Sequence, residues 1–188
     1  ANVNTGIGYE SLSRNTTGTA NTALGALSLG ANTSGDSNTA LGQGAMASNT
    51  TGSFNVAVGR NSLEYNISGE RNTAVGELSL VSNTTGGLNT ALGQGAMLSN
   101  TTGYENVAVG TYSLDENLTG NQNVAVGKHS LQSNRIGSNN TSVGTNSMFS
   151  NTTGSSNTAL GSDALKANTS GASNVAIGVN ALNLNTAG

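Results

Sequence analysis

The chain has 188 residues, of which only 8% are charged and 3% aromatic, with a net charge of −3. The absence of Cys excludes a disulfide framework, and the six basic residues are too scattered to form a patch for nucleic acid. No apolar run approaches the roughly 20 residues that span a bilayer, and no signal-peptide pattern is visible. We therefore expect neither membrane insertion nor nucleic-acid binding by this segment.

A unit of seventeen residues recurs along the whole chain, and each copy begins with Asn. The leading residues are Asn4, Asn21, Asn38, Asn55, Asn72, Asn89, Asn106, Asn123, Asn140, Asn157 and Asn174. A fixed period of this size is typical of a solenoid, in which stacked units complete one another's core. The sequence predicts an all-β fold over residues 1–188: one parallel β-solenoid, or β-roll, of about eleven coils. We number repeat positions 1 to 17 from the leading Asn, and coils 1 to 11.

Two positions of the repeat are apolar in every copy. Position 4 holds Ile7, Leu24, Leu41, Val58, Val75, Leu92, Val109, Val126, Val143, Leu160 and Ile177. Position 9 holds Leu12, Leu29, Met46, Leu63, Leu80, Met97, Leu114, Leu131, Met148, Leu165 and Leu182. Position 2 alternates Thr with Val, so positions 2 and 4 have the period-two spacing of a short strand. We predict that positions 2, 4 and 9 face the core.

Position 3 lies opposite that face of the strand and is Ala in nine copies, with Gly6 and Ser142 as the exceptions. Together with Asn at position 1 and Gly at position 5, it predicts a flat outward strip of small side chains. Such a strip would allow another sheet or subunit to approach closely. The alternative is that Ala is merely tolerated there.

Positions 12 to 15 read NTTG or a close variant, which is a turn composition in which Gly is free to adopt positive φ. Asn occupies position 12 in all eleven copies, and such a column predicts a ladder of side-chain amides bonded from coil to coil. No Asn-Gly or Asp-Gly pair occurs, which favours parallel coils over hairpins. Arg135, in the local sequence NRIG, is expected to mark an irregular coil.

The variable positions are 6, 7, 10, 11, 16 and 17, and we predict that they face outward. They contain all nine carboxylates, namely Glu10, Asp36, Glu64, Glu70, Glu77, Glu105, Asp115, Glu116 and Asp163. They also contain all six aromatic residues, namely Tyr9, Phe54, Tyr65, Tyr104, Tyr112 and Phe149. The four Tyr residues occupy four different positions, so they form no single stripe and identify no binding site.

The chain's three Met residues lie 51 residues apart, so a three-coil period is superposed on the repeat. So few apolar residues cannot fill a 51-residue coil, and we interpret this longer period as duplication in blocks of three. The thin core also predicts further burial against other copies of the chain. We expect a homo-oligomer, most plausibly a trimer, with position 3 near the contact. Both ends continue the repeat without caps, which suggests a longer array or an end-to-end filament.

Little in the sequence points to catalysis or to a bound metal. His129 is the only His, and the carboxylates follow no single position, so we predict no catalytic, cofactor-binding or metal-binding residues. Calcium-binding β-rolls need a regular Asp, which is missing here. Position 12 begins an Asn-x-Ser/Thr sequon in nine copies, but glycans one strand spacing apart would collide, and we interpret the motif as turn chemistry.

The segments NVAVG at residues 55–59, 106–110 and 123–127, and NVAIG at 174–178, resemble the head repeats of trimeric autotransporter adhesins. Similar repeats occur in phage and virus tail-fibre proteins. The resemblance implies a left-handed parallel β-roll, three copies of which associate through small residues. It also implies an extracellular role at a cell, virion or fibre surface, with host or matrix proteins or carbohydrates as partners.

These observations favour a non-enzymatic extracellular rod, such as an adhesin head, a tail-fibre segment or a filament subunit. The alternative is an ice-binding solenoid, since Thr recurs at positions 2, 13 and 14. Against it, position 2 is expected to share the core face, and position 13 admits Ile67, Leu118 and Arg135. A carbohydrate-active enzyme on a β-helix, the third hypothesis, would need paired carboxylates on one face, and the sequence contains no such pair.

Overall fold

The structure is a computed structural model that describes residues 3–187. It contains eleven three-residue strands in one parallel sheet, ordered as in the sequence. The strands are β1 Thr5–Ile7, β2 Thr22–Leu24, β3 Thr39–Leu41, β4 Val56–Val58, β5 Thr73–Val75, β6 Thr90–Leu92, β7 Val107–Val109, β8 Val124–Val126, β9 Thr141–Val143, β10 Thr158–Leu160 and β11 Val175–Ile177. In this part of the chain no helix is long and apolar enough to cross a bilayer.

Each strand occupies positions 2 to 4 of its coil and pairs with the equivalent strand of the next coil. Thr90 of β6, for example, is in register with Val107 of β7, seventeen residues later. The predicted parallel β-solenoid with seventeen-residue coils is therefore confirmed. The same register excludes the 51-residue coil and leaves the three-coil pattern as a feature of the sequence.

The core is thin and is built from position 9 together with small side chains. The Leu and Met residues of position 9 are fully buried from coil 2 to coil 10, as predicted. Position 8, which is Ser or Ala, is buried beside them over the same coils. Four of the six Ser residues there bond within their own coil, as where the Ser79 hydroxyl donates to the carbonyl of Gly76 at 2.8 Å, and Ser130 and Ser147 donate to the next coil. The large aliphatic side chains of the interior therefore all come from position 9, on one side of the coil.

The strands face the opposite way from the prediction. Ala91 at position 3 is fully buried, whereas Leu92 at position 4 is 37% exposed, and the same inversion holds in the other inner coils. The physical reason is space: position 9 already fills the narrow coil, so only a methyl group fits opposite it. The small strip at position 3 is thus core, and the larger aliphatic residues of position 4 are on the surface.

Two asparagine ladders run through the solenoid. At position 12, Asn83 Nδ2 donates to Asn66 Oδ1 at 2.8 Å and to the Gly86 carbonyl at 2.9 Å, so the predicted ladder is confirmed. A second ladder at position 1 was not predicted. There, the backbone N–H of Asn89 donates to Asn72 Oδ1 at 3.1 Å, and Asn89 Nδ2 donates to the Gly103 carbonyl at 2.8 Å. These bonds satisfy amides that are buried away from water.

The two invariant glycines of the repeat have different roles. At position 5 every Gly has φ between +119° and +139°, which a side chain disfavours. A Cβ on Gly93 would also lie 2.7 Å from the Gly110 carbonyl oxygen. At position 15 the expected positive φ is absent, and Gly is required instead because a Cβ on Gly86 would collide with Asn83 Oδ1. The left-handed backbone of the turns falls on positions 7, 9 and 17, whose residues are non-Gly except for Gly44 and Gly95 at position 7.

The coil that contains Arg135 is regular, contrary to expectation. The backbone N–H of Arg135 donates to the Thr152 carbonyl at 2.9 Å, and the Arg135 carbonyl accepts from Leu118 N–H at 2.9 Å. Its neighbours in the same position make the same pair of bonds. The substitution removes only the hydroxyl contact that Thr makes at this position, and the backbone bonds to both adjacent coils are unchanged.

Candidate interaction surface

The outward side chains of positions 2 and 4 form one continuous surface, which we call the strand face. Its position 4 row consists of Val, Leu and Ile in all eleven coils, with exposed fractions that reach 69% at Ile177 near one end. Inner residues are more covered, with Leu160 at 36% and Leu41, Val58, Val109 and Val126 half-buried, because the equivalent side chains of adjacent coils lie about 4.8 Å away. The chain thus places an unbroken aliphatic row in contact with solvent.

The position 2 row lies beside it and carries Thr in seven coils and Val in four. Within residues 3–187, none of these seven Thr hydroxyls donates a hydrogen bond to another group of the chain. Thr hydroxyls at position 13 differ, since the Thr84 hydroxyl donates to the Thr101 carbonyl of the next coil at 3.0 Å. The strand face therefore combines free hydroxyls with exposed methyl groups.

The strand face is large for an exposed apolar surface. Eleven strands at about 4.8 Å spacing give a length of roughly 50 Å, and three residues of strand give a width of about 10 Å. The resulting area, about 500 Å², lies at the upper end of the patches that monomeric proteins expose. This size and regularity make the strand face the candidate interaction site among residues 3–187.

Variable residues flank the strand face on both sides. Position 17 precedes each strand, and here the Arg71 guanidinium lies 5.7 Å from the centre of the Phe54 ring, with Leu88 exposed one coil further on. Position 6 follows each strand by two residues, and here Arg60 forms an ion pair with Glu77 of the next coil. Both pairs run along the rod, from one coil to the next, and both are accessible.

Three ring-bearing side chains meet elsewhere on the rod, at positions 7 and 10. The rings of Tyr112 and His129 stack with centroids 5.8 Å apart, and Phe149 meets His129 edge-on at 6.3 Å. Tyr112 also lies across Gly95, where an added Cβ would come within 2.6 Å of the ring. The Tyr112 ring therefore has His129 stacked on one face and the Gly95 backbone beside it. His129 Nδ1 is buried beneath this cluster without a hydrogen-bond partner.

The carboxylates have individual environments and form no common site. Burial, together with the neighbouring charge of Glu116, raises the pKa of Asp115. Hydrogen bonds from Lys166 and Asn146 lower the pKa of Asp163, whose ion pair with Lys166 measures 2.8 Å. Across residues 3–187, no three His, Cys, Asp or Glu side chains lie close enough together to hold a metal ion.

A shallow cavity of about 200 Å³ opens on coils 1 to 3, where the variable positions hold small residues. Glu10 and Arg14 line it together with Leu27, Gly30 and Ala47. Its two charged side chains are exposed and opposite in sign, and no buried polar group points into it. The cavity therefore provides weaker grounds for a binding site than the strand face.

The sequon asparagines of position 12 are structural. Asn49, Asn66 and Asn117 are fully buried, and each donates into the ladder. Their amide groups are therefore occupied and out of reach of modification. This geometry agrees with the interpretation of NTTG as turn chemistry.

Comparison of the chain with protein-family models, with curated proteins and with solved structures gave no match.

Proposed function

We propose that the chain is a non-enzymatic, extracellular structural or adhesive rod whose copies associate side by side through the strand face, as a homotrimer. The observation that carries the proposal is the unbroken row of Val, Leu and Ile at position 4, each of which is exposed or half-buried at the surface. The resemblance to adhesin head repeats supports the number three and the location at a cell, virion or fibre surface.

The inverted strands move the proposed contact from position 3 to positions 2 and 4. Ala91 and its equivalents are internal and cannot touch another subunit. The strand face, in contrast, offers about 500 Å² per chain, so a trimer that covers three such faces buries about 1,500 Å² in total, or about 500 Å² at each of its three contacts, which taken singly is the size of a weak interface. Association would remove from water the aliphatic side chains that the thin coil cannot enclose.

An adhesive role would use the remaining surface of the rod. With the strand face covered, the variable positions 7, 10, 11 and 16 stay on the outside and carry most of the charged and aromatic side chains. The proposed partners are host or matrix proteins or carbohydrates. The exposed Tyr65 and Tyr104 offer aromatic side chains for such contacts.

Light scattering on the intact chain tests the association. We expect a trimer mass that becomes a monomer mass in the double variant Leu92→Lys/Val109→Lys, because it would bury two charges per chain. The matched control is Thr102→Lys/Thr119→Lys, on the exposed turn of the same two coils, which should keep the trimer. A wild-type protein that stays monomeric at high concentration would refute the proposal.

A second candidate is ice binding, favoured by the outward Thr residues of position 2. The prediction that position 2 faces the core is wrong, since Thr22 is exposed and Thr90 is half-buried at the surface. Their unbonded hydroxyls lie in one row, interrupted by four Val residues, beside the methyl groups of position 4. Ice binding needs this face free, so a monomer with thermal hysteresis at micromolar concentration would favour ice binding over the rod proposal.

A further inference from the structure

We infer that associated copies lie at equal height around an axis parallel to the rod, and that four variable residues at the edges of the strand face fix this register. Phe54 and Arg71 of one copy meet Arg60 and Glu77 of the next. This inference rests on the proposed self-association, and it adds which coils face one another and why.

The direction of the strands determines which edges meet. All eleven strands are parallel, so position 17 lies along one edge of the strand face and position 6 along the other. When copies are related by rotation about an axis parallel to the rod, the position 17 edge of each faces the position 6 edge of the next. A closed ring permits no shift along that axis, so residues of equal height are paired.

Equal height brings complementary side chains together at two consecutive strands. At β5, Arg71 precedes the strand and Glu77 follows it, so the two copies present opposite charges. At β4, Phe54 precedes the strand and Arg60 follows it, which matches an aromatic ring with a guanidinium. Phe54, Arg60 and Arg71 are exposed, and Glu77 is half-buried, so all four are accessible from outside.

Other registers are poorer. A shift of one coil in one direction places Arg71 against Arg60, and a shift of two coils places Glu105 against Glu77, so both oppose like charges. A shift of one coil in the other direction pairs Glu105 with Lys128 but sets Arg71 against Gln94 and leaves Phe54 beside Glu77. Only equal height provides both complementary pairs without opposing like charges, and only equal height closes the ring.

Contacts within each chain hold these side chains near the edge. Arg71 lies over the Phe54 ring, and Arg60 bonds Glu77 through Nε at 3.0 Å. Arrival of the neighbouring Arg71 would place Glu77 between two guanidinium groups. The edges therefore need little rearrangement on association, which limits the entropy lost by ordering side chains.

Disulfide trapping tests the register, since the chain contains no Cys. We expect the double variant Arg71→Cys/Glu77→Cys to form covalent closed oligomers under mild oxidation, seen by non-reducing electrophoresis. Six residues of extended chain span about 20 Å, far beyond the 7 Å limit between the Cα atoms of a disulfide, so each bond must join two chains.

The matched controls are Arg71→Cys/Arg60→Cys and Arg71→Cys/Gln94→Cys, which move the second thiol by one coil in either direction. Both should cross-link at least tenfold more slowly than the equal-height pair. The single variant Arg71→Cys should not cross-link to itself, because such a product requires an antiparallel arrangement. Faster trapping in any of these three variants would overturn the register.

Light scattering on the same samples separates the two proposals. An oligomer that cross-links through the wrong pair contradicts the register alone. A monomer contradicts the proposed self-association and the register with it.

Discussion

The turn at positions 12 to 15 and the strand face carry similar residues but use them differently. In the turn, every polar side-chain group of Asn83 and Thr84 is hydrogen-bonded, to Gly86 of the same coil or to residues of the adjacent coils. On the strand face, Thr90 makes no such bond, and Leu92 lies at the surface beside it. The turn satisfies its polar groups within one chain, whereas the strand face leaves its hydroxyls unbonded and its methyl groups at the surface.

The largest expected difference is between two leucines, one inside and one on the strand face. Leu80→Ala empties a fully buried position and should lower the free energy of unfolding by about 2 to 5 kcal/mol at any protein concentration. Leu92→Ala removes a surface side chain, so its cost should be small in dilute protein and grow with concentration, as association contributes. Urea unfolding over a hundredfold concentration range measures both. Equal, concentration-independent losses would remove the distinction.

The next comparison concerns polar side chains. Asn83→Ala leaves Asn66 Oδ1 buried without its donor and breaks the bond from Asn100 Nδ2, so we expect a loss of about 3 kcal/mol. The strand-face variant Thr90→Ala removes a hydroxyl that bonds nothing in the chain and should change stability by less than about 0.5 kcal/mol. Chemical denaturation in dilute protein provides the test, and a comparable cost for Thr90→Ala would show that its hydroxyl has a partner within the coil.

A smaller effect is expected at Asp115, which is half-buried between the core and the surface. Its raised pKa means that the folded chain favours the neutral carboxyl. The stability it contributes is present below the usual Asp pKa of about 4 and is lost as pH rises through the raised value. Asp115→Asn should therefore increase the melting temperature at pH 7, with no gain below about pH 4. Glu70→Gln, at an exposed carboxylate that does not act on Asp115, is the control, and a constant gain across pH for Asp115→Asn would contradict the assignment.

The smallest predicted effect concerns the edge of the strand face. Ser156, at position 17, has φ of +60°, a conformation that Gly adopts with less strain. Ser156→Gly should raise the free energy of unfolding by a few tenths to about 1 kcal/mol, whereas Ser150→Gly, at a position without positive φ, should lower it by a similar amount. Thermal melts of the two variants decide the matter: a loss in both would mean that the left-handed backbone at Ser156 costs little.

The sequence predicts the framework of the fold because the framework depends on period. Eleven copies of Asn at position 12 and of Leu or Met at position 9 predict the ladder and the inner row correctly. Alternation also places positions 2 and 4 on one face of the strand. It does not say which face is inside, and the size of Leu92 relative to Ala91 led to the wrong choice.

The candidate surface was missed for the same reason, since its residues were assigned to the core. The ladder at position 1 could have corrected the error: an invariant Asn on the face of Ala91 fits a buried amide as well as an exposed one. The edge residues Phe54, Arg60, Arg71 and Glu77 are visible in the sequence as variable positions. Their proposed pairing depends on the direction of the strands and on a second copy of the chain. Neither can be seen in a single repeat.

The asparagine ladders also give the rod an electrical direction. In both ladders, each side-chain amide donates toward the preceding coil, as Asn83 does to Asn66 and Asn89 does to Asn72. The amide dipoles therefore add along the rod, with donors directed toward lower residue numbers and acceptors toward higher ones, as peptide dipoles add along a helix. A further coil on either side extends both ladders only when it points the same way, so the repeat enforces one polarity on any stack built from it.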